Sequence, residues 1–289
     1  MSYFGGTSSY ADSSPSGQIV TGLIIVGVIF IVLFVSEIVY GSVKSAQTRF
    51  QTLLDYTASS DAMTIIIHQD VSKFPSAIPI GLSVNERTGI EFAYSFYINV
   101  NAANFGDNTA TFKHVFHKGY AFPWPLMGPG VFMKANENTM RVIMNTYKNP
   151  YAYVDIKNIP VDKWVHVVLN CQNDGLDVFI NGTLANRISF TGTLPYQNFQ
   201  DVILFANVNT NLLGNGSTPV SLASLPAPDN QFNISGSFRG QLSNLKYARY
   251  ALSVSEIQSL MAAGPSYKKP VNSVDTPPYL ADDWWSQQG

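Results

Sequence analysis

The residues of this chain whose types admit chemistry are a pair of histidines, a few separated acidic residues, a scatter of loop amides and one tryptophan set between prolines. His114 and His117 lie in an alternating, strand-like stretch. On a regular strand a separation of three places them on opposite faces, which makes a poor zinc pair. His166 points the same way as Trp164 and reads as a packed core histidine. A retaining glycosidase needs two carboxylates about 5–5.5 Å apart, and a Glu-x-Asp-x-Glu run on a strand would supply them. No such run occurs: Glu86 and Glu91 are five apart in or beside a turn, and Asp174 and Asp177 straddle a hairpin. The sequence has no Gly-rich phosphate loop and no nucleophile elbow. No catalytic residue, no metal site and no cofactor is therefore expected. Calcium is the one ion with candidate ligands, since Asp107, Asn108, Asn207 and Asn209 are oxygen-bearing loop residues, although calcium wants several oxygens converging. Trp124, in Phe122-Pro-Trp-Pro-Leu-Met, is either a plug under the core or an exposed ligand platform.

The elements that position these groups are organised around Pro160 to Phe190. Val165, Val167 and Leu169 alternate with Trp164, His166 and Val168, and both sets are largely apolar, so this strand must be covered on two faces. Asn173-Asp174-Gly175 turns the chain, on the expectation that Asp-Gly supplies the positive φ of a tight hairpin. Leu176, Val178 and Ile180 face one way on the return strand, Asn181-Gly182 turns again, and Thr183 to Phe190 leaves as a third strand. Glu91 to Val100 alternates cleanly, with Phe92, Tyr94, Phe96, Ile98 and Val100 inward. Shorter strands fall at 65–67, 112–117, 131–134, 139–147, 151–156 and 202–206, with Asn/Gly/Pro-rich connections, which describes an antiparallel sandwich. Residues 207–231 read as a long polar loop, and Ser253-x-x-Glu256 as the capping box of a short helix.

Composition narrows the partners. Charged residues are 12 % against 13 % aromatic, and the net charge is −2, so the chain lacks the basic face that nucleic acid requires. A single cysteine, Cys171, cannot form an internal disulfide and reads as a small buried hydrophobe. Residues 1–18 form a polar leader, and residues 19–40 an apolar run of about 33 Å as a helix, enough to cross a bilayer. With no basic n-region and a polar leader before it, the run reads as a retained span and not as a signal peptide. Lys44 and Arg49 follow it and no positive charge precedes it, which places the C-terminal part on the cytosolic side. Asn181, Asn215 and Asn233 begin sequons that matter only under the opposite, lumenal topology. Residues 41–61 read as a helical stalk, with Val43, Ala46, Phe50, Leu53 and Leu54 on one face. Residues 62–264 are the sandwich. Residues 265–289 are a Pro-rich tail, with Tyr279, Leu280, Trp284 and Trp285 as apolar anchors for a partner protein.

Two runs carry a family resemblance. Lys163-Trp-Val-His-Val-Val-Leu-Asn with Leu176-Asp-Val-Phe-Ile-Asn-Gly-Thr-Leu is similar to the central meander of laminin-G-like domains. Gly236-Ser-Phe-Arg-Gly-Gln-Leu-Ser-Asn-Leu-Lys-Tyr with Ala251-Leu-Ser-Val-Ser-Glu-Ile resembles their closing strand and helix start. The resemblance implies an all-β, antiparallel jelly-roll sandwich of the concanavalin A-like lectin/glucanase superfamily, here with one N-terminal transmembrane helix. It also implies carbohydrate or calcium as ligands that many members take at a rim of loops. The whole architecture, with its Pro-Pro-Tyr-Leu and Trp-Trp tail, resembles membrane-anchored virion proteins of large icosahedral DNA viruses. That likeness implies a non-enzymatic minor capsid protein tethering an internal membrane to the capsid; the alternative is a surface-displayed carbohydrate-binding module.

Overall fold

A computed structural model of the chain describes residues 15–61, 63–81, 83, 90–106, 111–123, 126–211, 232–268 and 270. The chain divides into two compact units, Met1–Arg49 and Phe50–Gly289. Among its described residues the first contains one helix, α1 (Pro15–Arg49). Its stretch Gly22–Val39 is long and apolar enough to cross a membrane, and none of that stretch is buried.

The second unit is a sandwich of two sheets. One is built, in spatial order, from β1 (Phe50–Ser59), β14 (Gly240–Ala248), β3 (Phe92–Val100), β8 (Trp164–Cys171), β9 (Gly175–Ile180) and β10 (Thr183–Ser189). The other runs β12 (Asn209–Asn211), β13 (Asn233–Ser237), β4 (Phe112–Lys118), β5 (Gly130–Lys134), β6 (Thr139–Met144), β7 (Ala152–Lys157). β11 (Val202–Leu204) also pairs with β4 and carries β2 (Ile65–Ile67) on its far side. Among the described residues the named strands pair antiparallel, except β13 with β4, which is parallel.

The pattern of β8 explains the layering. Val165, Val167, Leu169 and Cys171 enter the main core between the sheets, where Phe92, Tyr94, Phe96, Phe116 and Tyr247 supply the bulk. Phe96 and Phe116 meet edge to face across the sheets at 5.1 Å between centroids. Val168, on the other face, packs with Ala93 and Ala248 under α2 (Val254–Ala263), which contributes Ile257 and Leu260. Ser253 and Glu256 close the expected capping box at its start. At its end the Tyr97 hydroxyl donates to the Leu260 and Met261 carbonyls and accepts from the Gly264 N–H. That contact secures the helix terminus to β3, where free carbonyls would otherwise be left over.

Three expectations need correction. Residues 50–59 are not part of a helical stalk: α1 stops at Arg49 and the sandwich begins at Phe50. Register shifts in the β1–β14 pairing, between Thr52 and Leu54 and between Leu54 and Thr57, turn Leu53, Leu54 and Ala58 into the core together. Bulges of this kind put neighbouring residues on one side of a strand, so the spacing imitates a helix. The region 207–231 is likewise not loop throughout, since β12 pairs with β13. The Asn173–Gly175 turn uses no left-handed residue; positive φ occurs at the next turn, Asn181 (47°) and Gly182 (76°). Glycine stands at 175 for room, because a Cβ there would lie 2.7 Å from the Ile188 carbonyl oxygen.

Phe116 touches the aromatic centre from the second sheet, so Phe116→Ala should destabilise the sandwich by about 3–5 kcal/mol in denaturant unfolding. Leu184→Ala, at an exposed position of β10, should change it by less than about 0.5 kcal/mol. Equal losses at the two positions would contradict the assignment of the core.

Candidate functional site

The sandwich has two different ends. At the end opposite Phe50, the chain passes out of β1 and β3 and into β8 and β14. There Ser59, Asp61, Asn99, Asn101, Asp162 and Gln241 line an open cleft of about 530 Å³, with Arg239 and Gly240. A second hollow of similar size shares Asp61 and Arg239 with it and reaches Met63, Thr64 and Asn207.

Backbone contacts hold this cleft in shape. Asn101 donates its N–H to the Arg239 carbonyl (3.0 Å), and Ser60 to the Gly240 carbonyl (2.9 Å). The Gly240 N–H returns a bond to Ser60 Oγ (2.9 Å). Asn101 Oδ1 accepts from the Ala103 N–H at 2.8 Å, capping a short 3-10 turn, and Asp162 Oδ1 accepts from the Ala102 N–H at 3.2 Å. Asp162 itself has a left-handed backbone, with φ 54°. Gly240 is required by proximity, because a Cβ there would stand 2.1 Å from the Asn99 carbonyl oxygen. The result is a pre-formed set of carboxylate, amide, hydroxyl and guanidinium groups facing solvent. It suits hydrogen-bonding recognition.

Sequence reasoning did not find this set. Its members lie at 59–61, 99–103, 162 and 239–241, and no local motif connects them. The one legible signal was the family-like Ser-Phe-Arg-Gly-Gln run, which contains Arg239.

Of the residues singled out beforehand, Asn207 lines the second hollow. Asn207 Oδ1 and Asn209 Oδ1 approach one point, 3.1 and 4.0 Å from where a Cβ on Gly236 would sit. Two neutral amide oxygens fall short of the roughly 6–8 oxygens that calcium takes, and among the described residues no three His, Cys, Asp or Glu side chains cluster. Asp107, Asn108, Trp124, Asn215, Tyr279, Leu280, Trp284 and Trp285 lie outside the described residues. Asn181 is exposed, but its Oδ1 is used structurally, accepting from the His166 N–H at 2.9 Å. Asn233 lies in β13 opposite Asn211. Asp174 and Asp177 are both paired with Arg187, at 2.6 and 3.3 Å. Cys171 is free and buried.

The histidine pair overturns the expectation of opposite faces. β4 bulges between His114 and Phe116 in its pairing with β5. Val115 and Phe116 both enter the core, and His114 and His117 emerge on the same outer side. His114 Nε2 lies 2.6 Å from His117 Nδ1. The Ala206 N–H donates to His114 Nδ1 at 3.0 Å, and His117 Nε2 meets the Tyr120 carbonyl at 2.7 Å. These contacts assign the protons: His114 donates from Nε2 to His117, and His117 donates from Nε2 to Tyr120. Both rings are neutral in this chain of bonds. Burial and the neighbouring His117 hold His114 well below the ordinary histidine range. Burial lowers His117 to about 4, against its bond to Tyr120. His166, which shares a 2.9 Å bond with Ser95 Oγ, is also lowered to about 4, by burial and then by Lys246.

Comparison with known proteins gives one family match. The model of the concanavalin A-like lectin/glucanases superfamily, Laminin_G_3, matches residues 78–258. No curated protein sequence matches. Among solved structures, the receptor binding domain of botulinum neurotoxin D is similar at 11 % identity and a TM-score of 0.46, covering 73 % of this chain and 44 % of that one. The binding domain of Paraclostridial Mosquitocidal Protein 1 is similar at 15 % identity and a TM-score of 0.44, covering 75 % and 46 %. Trypanosoma rangeli sialidase is similar at 14 % identity and a TM-score of 0.37, covering 60 % and 22 %. The chain spans less than half the length of each.

The depressed histidines make stability depend on acid. A base whose folded pKa lies below its unfolded value takes up protons on unfolding, so stability falls as pH drops from 6.5 towards 4. His117 and His166 both contribute to this loss over that interval. Denaturant unfolding of the full chain in detergent should show this loss above the carboxylate range. A flat profile between pH 6.5 and 4 would contradict the neutral histidine chain.

Proposed function

This chain belongs to the concanavalin A-like lectin/glucanases superfamily, and from that premise we propose that it is a membrane-anchored binding protein that catalyses no reaction. In this reading α1 is a retained membrane span, and the sandwich lies on the cytosolic side because Lys44 and Arg49 follow the apolar run. The observation that carries the reading is the placement of the polar cleft. Asp61, Asp162 and Arg239 sit at the end of the sandwich opposite Phe50, the residue by which it is joined to α1.

The partner we propose is a structural protein of an assembly built around that membrane. The resemblance to virion proteins makes it a capsid component, with this chain as a minor capsid protein between internal membrane and shell. The tail anchors Tyr279, Leu280, Trp284 and Trp285 serve the same contact, each large aromatic being worth roughly 1.5–3 kcal/mol when buried. Nucleic acid is not a partner in this reading, and no cofactor is needed. A second reading, a carbohydrate-binding module, is favoured by the cleft itself, whose carboxylates, amides and guanidinium match the hydroxyls of a sugar.

Deleting Pro277 to Gly289 should change unfolding stability by less than about 0.5 kcal/mol, yet release the chain from its assembly when lipid is extracted with detergent. Retention of the truncated chain would overturn the tail's role. Binding to a glycan array that Asp162→Asn and Arg239→Ala abolish, together with glycan mass on Asn181 or Asn233, would favour the carbohydrate reading instead. Calcium should leave the unfolding midpoint unmoved; a saturable rise would assign Asn207 and Asn209 as ligands after all.

A further inference from the structure

The end of the sandwich at which β1 begins carries a different surface. Tyr120, Phe122, Tyr147, Leu194 and Phe199 stand there between 40 % and 66 % exposed. They come from three loops, and residues 194–201 bind those loops together. The Tyr147 N–H donates to the Leu194 carbonyl (3.1 Å), and the Tyr196 N–H to the Asn145 carbonyl (2.8 Å). The buried Lys118 ammonium donates to the carbonyls of Asn198 and Gln200, on either side of Phe199. The Gly119 N–H donates to the Asp201 carbonyl at 3.0 Å, fixing the turn that presents Tyr120 and Phe122. The segment also reaches the first sheet, where Gln197 Nε2 donates to the Tyr247 hydroxyl at 2.7 Å. Tyr247 is paired with Gln51, one residue from Phe50. The apolar tips therefore share an end with the residue at which α1 hands over to the sandwich, and they stand on braced loops.

We propose that this end of the sandwich rests on a lipid bilayer, with Tyr120, Phe122, Tyr147, Leu194 and Phe199 in the headgroup layer. The inference depends on α1 being a membrane span. Arg49 is ten positions after Val39, the last of the apolar stretch, and as helix that is a rise of only about 15 Å. Phe50 follows without a linker, so the bilayer is the surface this end meets most often. Tyrosine and phenylalanine are the residue types that settle at a membrane interface. Charge is not concentrated at this end: among the described residues Asp70 pairs with Lys73 at 3.1 Å and Asp174 with Arg187 at 2.6 Å, and Lys148 stands exposed beside Tyr147. The cleft with Asp61, Asp162 and Arg239 is then turned away from the bilayer and left open to a partner.

The buried Cys171 permits the test, since an introduced surface cysteine is the one that reacts. The full chain carrying Phe199→Cys, Tyr147→Cys or, at the cleft end, Met63→Cys is labelled with a fluorophore. It is then reconstituted into phosphatidylcholine vesicles containing acyl-chain nitroxide lipid. Labels at 199 and 147 should lose most of their emission, in high salt as in low, and the label at 63 should keep its own. Equal emission at 199 and 63, or quenching abolished by salt, would overturn the docking. Shielding of 199 that appears only at high protein density would overturn it in favour of a second copy as occupant. Flotation after an alkaline wash separates the two readings: a chain that fails to float overturns the span and the docking together, whereas one that floats with an unquenched 199 overturns the docking alone.

Discussion

Everything in the sandwich depends on β8 being covered on both faces. Val165, Val167 and Leu169 need the second sheet, and Val168 needs α2. A strand with two apolar faces has no stable place at a surface, so layers must form on either side of it. The order β14-β3-β8-β9 sets the centre of the first sheet, and α2 is held across it by its capping box and by Tyr97. Once that centre is fixed, the strand ends on either side become the two ends of the sandwich.

Much of this was legible in the sequence wherever a strand keeps its period of two. β3, β8 and β9 follow the alternation read from Phe92 to Val100 and from Trp164 to Ile180, and the helix start follows from Ser253 and Glu256. Two of the failures share one cause. Bulges in β1 and β4 insert a residue, reverse the faces beyond it and defeat any reading by period. In β1 the bulges put Leu53 and Leu54 on one side, which imitated a helix face. In β4 one bulge brought together two histidines that regular alternation would separate, while leaving Val115 and Phe116 in the core. The cleft was not legible for another reason. Asp61, Asn101, Asp162 and Arg239 are neighbours only because four strand ends meet, and that meeting is a property of the sheet order.

The two ends differ in their physical character. One offers fixed hydrogen-bonding groups with backbone-locked geometry, which favours recognition of a specific polar partner at little ordering cost. The other offers exposed aromatic tips without a matching charge pattern, which suits an interface that is apolar and undirected. A net charge of −2 gives little long-range steering; under the proposed reading, the anchor would supply by proximity the local concentration that charge does not.

The central claim, that the cleft is the partner-binding surface of a membrane-anchored protein, is tested most directly by photo-crosslinking within the native assembly. A photoreactive residue replaces Gln241, which lines the cleft, in the full chain. The account predicts adducts with one structural protein partner, lost when Arg239 and Asp162 are also replaced. Adducts with lipid alone, or adducts indifferent to those replacements, would contradict it.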